Sequence, residues 1–173
     1  MVDQNTVIGV IGLGYVGLPL AVEFGKKFKV VAFDKDQERM RQISQGIDRT
    51  GQLEKEEIKL SDNLTLTDNP KLLTDCSVYI VTVPTPVDQD NKPDFSSLET
   101  ASKMIGMYIQ KGDVVIYEST VYPGATREVC IPILESSSKL KFNEDFFCGY
   151  SPERINPGDR VHKLKDIMKV TSG

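Results

Sequence analysis

The sequence predicts an α/β domain: a doubly wound, mainly parallel sheet with helices on both faces. Three observations predict it. Short apolar, β-rich runs alternate with stretches of helical period. A G-x-G-x-x-G pattern, Gly12-Leu13-Gly14-Tyr15-Val16-Gly17, falls between the first such strand and the first such helix. Polar or Gly- and Pro-bearing segments follow directly on the strands, and sheets of this kind bind ligands outside the carboxyl ends of their strands. The arrangement is Rossmann-like.

Each element has its own justification. Thr6 to Ile11 (TVIGVI) is a short apolar run leading into glycines, as a buried parallel strand should. Val16, Leu20 and Phe24 recur at four-residue spacing and predict a helix from about Tyr15 to Lys27, with Pro19 close to the first turn, where a missing N–H costs little. Lys29 to Phe33 (KVVAF) is a second buried strand, closed by Asp34. Gln37 to Gln45 reads as a helix, Leu53 to Leu60 as an acidic helical stretch, and Leu64 to Leu66 as a short strand. Ser77 to Val83 (SVYIVTV) is the clearest further strand and leads into Pro84-Thr85-Pro86 and a polar loop ending near Asp94. Leu98, Ala101, Ile105 and Ile109 mark the next helix, and Asp113 to Tyr117 the next strand. After a turn at Tyr122-Pro123-Gly124, Ala125 to Glu135 is mostly helix, which Pro132 is expected to kink or shorten. Phe146 to Tyr150 is a strand, and Ile167 to Thr171 the last candidate.

Composition narrows the function classes. At 173 residues the chain is the size of one domain and can bury about 70% of its unfolded surface. Its 39% hydrophobic and 27% charged residues exclude disorder, a collagen-like repeat and a disulfide mini-scaffold. Lys+Arg 21 against Asp+Glu 25 leaves a net −4 with no basic stripe, so a dedicated nucleic-acid binder is excluded. Gln4 to Val22 carries no charge, but it has no basic n-region before it and holds Gly9, Gly12, Gly14, Gly17 and Pro19. That density spoils a spanning helix, so neither a signal peptide nor a membrane anchor is expected. The cysteines Cys76, Cys130 and Cys148 are far apart and form no C-x-x-C pair, so no metal site is expected; they read as buried thiols of a cytoplasmic protein.

In the glycine pattern each residue has a physical task. Gly12 permits the tight turn, Gly14 lets the backbone approach a pyrophosphate, and Gly17 lets helix pack on strand. The anion sits at the helix N-terminus, where free N–H groups and the helix dipole favour negative charge. Asp34 ends the second strand, 22 residues beyond Gly12. A carboxylate there accepts hydrogen bonds from ribose hydroxyls and repels the extra phosphate of NADP, so NAD is the expected cofactor. Lys35 and Arg39 are nearby cations able to tolerate a 2′-phosphate, and Arg39 is read as covering the adenine face. The competing reading makes the glycines mere packing and Asp34 a helix cap.

Thr85 and Thr120 each follow a strand, so both should rim one crevice, binding cofactor or water unless they only cap turns. Glu118 either faces that crevice or pairs structurally. Glu153, in Ser151-Pro152-Glu153-Arg154, is a candidate anion or acid/base group near substrate, with a solvated loop glutamate as the alternative. His162, the sole histidine, is read as a surface residue. No motif supplies the base that an alcohol oxidation needs as hydride leaves.

The stretch Val10 to Ala21, then Val83-Pro84-Thr85-Pro86, Glu118 to Gly124 and Ser151 to Arg154 resemble the successive motifs of the UDP-glucose/GDP-mannose dehydrogenase family, in order and along essentially the whole chain. The form Ser-Pro-Glu-Arg-x-x-Pro-Gly is most similar to the branch acting on UDP-N-acetyl-hexosamines. The resemblance implies an NAD-dependent oxidation of the sugar C6 alcohol to a carboxylate, through a thioester on a catalytic cysteine. It implies that Gly12, Gly14, Tyr15, Val16 and Gly17 bind the dinucleotide phosphates and that Asp34 and Arg39, beside Lys35, hold the adenosine. Thr85, next to Pro84, would contact the cofactor. Thr120 would place cofactor and hydrolytic water, and Glu153 would lie on the substrate side; these two form the candidate catalytic set. Two departures stand out. Pro157 occupies the position of a second glutamate in the UDP-glucose branch, and none of the three cysteines has the Gly-rich context of the family's nucleophile. The expectation is therefore that residues 1–173 form the NAD-binding domain, with dimerisation and UDP-sugar domains outside this chain. It should bind NAD without finishing the oxidation alone, as a monomer where the whole protein is a homodimer. The rivals are a 6-phosphogluconate or 3-hydroxyacid type of Rossmann dehydrogenase, and a non-catalytic NAD sensor.

Overall fold

The computed structural model describes residues 3, 5–59, 62–87, 89–90, 92–154 and 169–173. One sheet is built from β1 (Val7–Ile11), β2 (Lys29–Phe33), β3 (Leu64–Thr67), β4 (Val78–Val81), β5 (Val114–Tyr117) and β6 (Phe147–Tyr150). Its spatial order is β3-β2-β1-β4-β5-β6, and every neighbouring pair is parallel. The helices are α1 (Gly17–Gly25), α2 (Gln37–Ser44), α3 (Lys55–Lys59), α4 (Ser96–Gly106) and α5 (Ile131–Ser138).

Alternation along the strands divides the core in two. Ile8 and Val10 pack with Leu18, Ala21 and Val22 of α1 and Ile43 of α2 on one face. Ile11, Val81 and Val115 pack with Leu98 and Ile105 of α4 and Leu134 of α5 on the other. Burial on both faces explains why the strands read as continuous apolar runs.

Register matters most for the site. Ile11 pairs with Phe33 and Val81, Val81 with Tyr117, and Tyr117 with Tyr150. The last residues of β1, β2, β4, β5 and β6 therefore align, and Gly12, Asp34, Thr82, Glu118 and Ser151 leave the sheet at one edge. The order reverses beside β1, where the chain crosses from β3 to β4, and such a reversal opens a crevice.

Three element expectations are corrected. The first helix starts at Gly17 rather than near Tyr15, because Gly14 to Val16 form the turn that precedes it. Pro132 neither ends nor shortens its helix. One π-helical turn, Thr126–Cys130, precedes α5, and the N–H of Ile131 reaches back to the Thr126 carbonyl. The wider turn puts Pro132 in the first turn of α5, where its missing N–H is harmless, and α5 runs on to Ser138. Of the last candidate strand, Ile167 and Met168 lie outside the described residues and Lys169 to Thr171 form no strand; beyond them, Ser172 and Tyr150 exchange antiparallel hydrogen bonds of 2.7 and 2.9 Å. A 3₁₀ turn at Pro70–Asp75, capped by the Asn69 side chain, has no counterpart in the sequence reading.

Candidate functional site

A cleft of about 640 Å³ opens over the aligned strand ends. Gly12, at φ +94°, makes the turn out of β1, and a Cβ there would stand 3.1 Å from the Thr82 carbonyl oxygen. The Thr82 hydroxyl donates to the Gly12 carbonyl at 2.6 Å and so ties the turn to the end of β4. Gly14 is different. A Cβ at Gly14 would meet no protein atom within 4 Å, so its side-chain position opens into the cleft. A Cβ at Gly17 would lie 1.8 Å from the Gly12 carbonyl oxygen; Gly17 is buried, does not line the cleft, and brings α1 against the turn. Tyr15 and Val16 line the cleft, and Val16 opens α1 with no side-chain cap. Open space over Gly14 at an uncapped helix start fits a pyrophosphate.

Asp34 forms the next wall. Its Oδ2 accepts from the Leu13 N–H at 2.7 Å and its Oδ1 from the Asp36 N–H at 3.0 Å. The cap of α2 is Asp36, which accepts from the Arg39 N–H at 3.0 Å, so Asp34 is not the helix cap of the competing reading. Lys35 is exposed on the cleft rim. Arg39 lines the cleft but is 1% exposed. Its Nε donates to the Leu13 carbonyl at 2.8 Å and its Nη2 to Asp48 at 2.7 Å. Arg39 is thus a buried part of the cleft wall, and Asp48 balances its charge. Asp48 also accepts from Thr50, Gln52 and Leu53. Burial pushes the Asp48 carboxyl up, but the Arg39 and Thr50 hydrogen bonds outweigh it and hold it below the usual range. Asp48 and Thr82 are missed by the sequence reading, since neither sits in a recognisable motif.

At the other end, the Thr85 hydroxyl donates to the Thr120 carbonyl at 2.5 Å and the Ser119 hydroxyl to the Val83 carbonyl at 2.6 Å. These bonds lock the loops after β4 and β5 together, with Pro84, Thr85 and Thr120 on the cleft wall. Glu118 and Glu153 line the same end. Glu118 does both things the sequence left open: it faces the cleft and pairs with Lys169. Burial pushes its carboxyl up, against the pull of Lys169. Pro157 and His162 lie outside the described residues.

Cys76 and Cys130 are buried, Cys148 is half-buried, and none lines the cleft. Burial pushes the Cys76 and Cys148 thiols up to about 12 and that of Cys130 to about 11. These are inert core thiols. Among the described residues no helix is long and apolar enough to cross a membrane.

The chain is 58% identical over 170 residues to a UDP-N-acetyl-D-glucosamine 6-dehydrogenase of Pseudomonas aeruginosa, covering 98% of this chain and 40% of that protein. It is 49% identical to another from Salmonella typhi, covering 96% of this chain and 39% of that one. The chain thus spans about two fifths of the length of the curated relatives it matches. Among solved structures, the NDP-N-acetyl-D-galactosaminuronic acid dehydrogenase from Methanosarcina mazei Go1 superposes with a TM-score of 0.90 at 28% identity, over 99% of this chain and 39% of that one. The family model described as "UDP-glucose/GDP-mannose dehydrogenase family, NAD binding domain" matches residues 6–173. The chain belongs to that family and is its NAD-binding, Rossmann-type domain.

Proposed function

We propose that this chain is the dinucleotide-binding part of an enzyme that oxidises the C6 alcohol of a UDP-N-acetyl-hexosamine to the uronic acid, for polysaccharide precursor synthesis in the cytoplasm. The reading is carried by one juxtaposition. A single cleft holds open space over Gly14, the Asp34 carboxylate to one side, and Thr120, Glu118 and Glu153 to the other. The names of the relatives support the substrate class.

When bound, the dinucleotide supplies the hydride acceptor. Gly14 and the start of α1 receive the pyrophosphate, while Tyr15 and Val16 border it. Asp34, already oriented by the Leu13 and Asp36 amides, accepts from the adenosine ribose hydroxyls. Its charge disfavours the 2′-phosphate of NADP, and Arg39 gives no free cation to offset that because Asp48 balances it. Pro84, Thr85 and Thr120 border the nicotinamide. Thr120, an exposed residue of the cleft wall, positions a water, and Glu153 stands toward the substrate.

The chain alone binds NAD and does not complete the oxidation, because its cysteines are packed with the core and none lines the cleft. We further infer a homodimer for the whole protein and a monomer for this chain; sedimentation of the chain as a dimer would refute the latter. Calorimetric titration with NAD and NADP tests the cofactor assignment. NAD should bind at least about tenfold more tightly, a 1.4 kcal/mol difference. No heat at millimolar NAD would overturn it, and turnover of UDP-N-acetylglucosamine by this chain would overturn the second claim.

A further inference from the structure

Asp34 shares its end of the cleft with a second acidic residue, Asp36. The two belong to one turn: the Asp36 N–H donates to Asp34 Oδ1 at 3.0 Å, and both residues line the cleft. The Asp36 carboxylate has two partners. Its Oδ1 accepts from the Arg39 N–H at 3.0 Å and caps α2, while its Oδ2 accepts from Arg49 Nη2 at 2.8 Å. Capping needs only an acceptor oxygen, which asparagine or serine also supplies, whereas the bond to Arg49 uses the charge. Arg49 lines the cleft as well. It sits on the loop that Asp48 gathers through the amides of Thr50, Gln52 and Leu53, so its backbone is tied down. The Arg49 and Asp36 side chains are 51% and 39% exposed, and an ion pair so open to water is weak enough to exchange for another anion. Arg39, by contrast, is buried against Asp48 and committed to it.

We propose that Asp36 is a specificity-determining residue that keeps the cleft selective for NAD by occupying Arg49, the guanidinium that would otherwise engage the 2′-phosphate of NADP. The proposal rests on the reading that the adenosine ribose lies at Asp34. A phosphate on that ribose carries a charge of about −1.5 to −2 at neutral pH, and a nearby arginine is what accommodates it in sheets of this kind. Arginine suits that task because its planar fork pairs two phosphate oxygens at once. Here a carboxylate already holds the fork. Any turn of Arg49 toward a 2′-phosphate gives up that bond and leaves the Asp36 charge facing a second anion. Asp34 thus repels the phosphate directly, and Asp36 denies it a partner. Lys35 stands exposed on the same rim and is left unchanged in every variant below.

The test is calorimetric titration with NAD and NADP of the wild type, Asp36→Asn, Arg49→Met and the double variant, weak NADP binding being read by displacement of NAD. The ratio of the two affinities is the readout, because damage to the fold lowers both together. Asp36→Asn should lower the NAD/NADP ratio by about tenfold, chiefly through tighter NADP, since the freed guanidinium gains a charge-assisted bond to the phosphate. In the Arg49→Met background the same change at Asp36 should move the ratio by less than about threefold, the direct effect of one screened carboxylate. Asp36→Ser, which also caps α2, replaces Asp36→Asn if that variant does not fold. An unchanged ratio in Asp36→Asn overturns the proposal. So does an equal fall with and without Arg49, which would make Asp36 only a second repelling charge. Both of those results leave the NAD assignment intact, whereas failure of the wild type to bind NAD overturns the assignment and the proposal together.

Discussion

Gly14 and Gly17 are three residues apart in one pattern and do opposite things. The space at Gly14 is open to the cleft, whereas that at Gly17 is filled by the Gly12 carbonyl and the Thr82 hydroxyl. Gly14→Ala should therefore shift Tm by no more than about 2 °C while weakening NAD binding by about tenfold, because its methyl occupies the pyrophosphate's approach. Gly17→Ala should cost about 3 kcal/mol and lower Tm by about 10 °C, since backbone must move to admit the methyl. Thermal melts paired with calorimetry separate the two, and equal effects of both substitutions would refute the division of roles. Asp34 is legible from its place after β2, and its function turns on charge. Asp34→Asn can still accept from the Leu13 amide, so the turn should hold. NAD affinity should fall by about tenfold and the discrimination against NADP should shrink, which competition titration would reveal. The burial of Arg39 is not legible. It depends on Asp48, nine residues on, and on the Leu13 carbonyl in the turn that follows β1. No local pattern records that meeting.

Elements carry the ionisable groups that set stability against pH. Asp48 gathers Arg39 and the 50–53 loop behind the cleft. Its carboxyl is held below the usual range, so its contribution is present above the unfolded pKa and is lost as pH falls through the folded one. Asp48→Ala leaves the buried Arg39 without its partner and should destabilise by about 4 kcal/mol in urea unfolding. Asp113, just before β5, has the opposite sign. Burial pushes its carboxyl up, against the help of the Gln110 amide, so the folded state binds a proton more readily than the unfolded one. It therefore costs stability as pH rises through its raised value. Asp113→Asn keeps an acceptor for Gln110 and should raise stability at neutral pH, with no gain in acid, in urea unfolding at the two pH values. Most strands were legible from their apolar runs, to within a residue or two. The course of α5 was not. Pro132 locally argues for a break, and only the π turn ahead of it, packed against the sheet and α4, accommodates it.

At the scale of the whole molecule, the sheet is two-sided and its thiols belong to the interior. With pKa values raised to about 11 and 12 by burial, the three cysteines should react with Ellman's reagent at least about a hundredfold more slowly than a free thiol, until the chain unfolds. A fast native-state phase would show that one of them has a reactive setting. Strand–helix alternation, the glycine spacing and Asp34 were enough to establish by sequence alone a parallel dinucleotide-binding sheet, because each depends on residues close together along the chain. Which side chains share the far end of the cleft was decided only in three dimensions. Glu118 and Lys169 are 51 residues apart, and it is the pairing of β5 with β6 together with the Ser172–Tyr150 bridge that brings them to one edge. Charge balance between two such groups depends on distance and burial, quantities that a linear sequence does not contain.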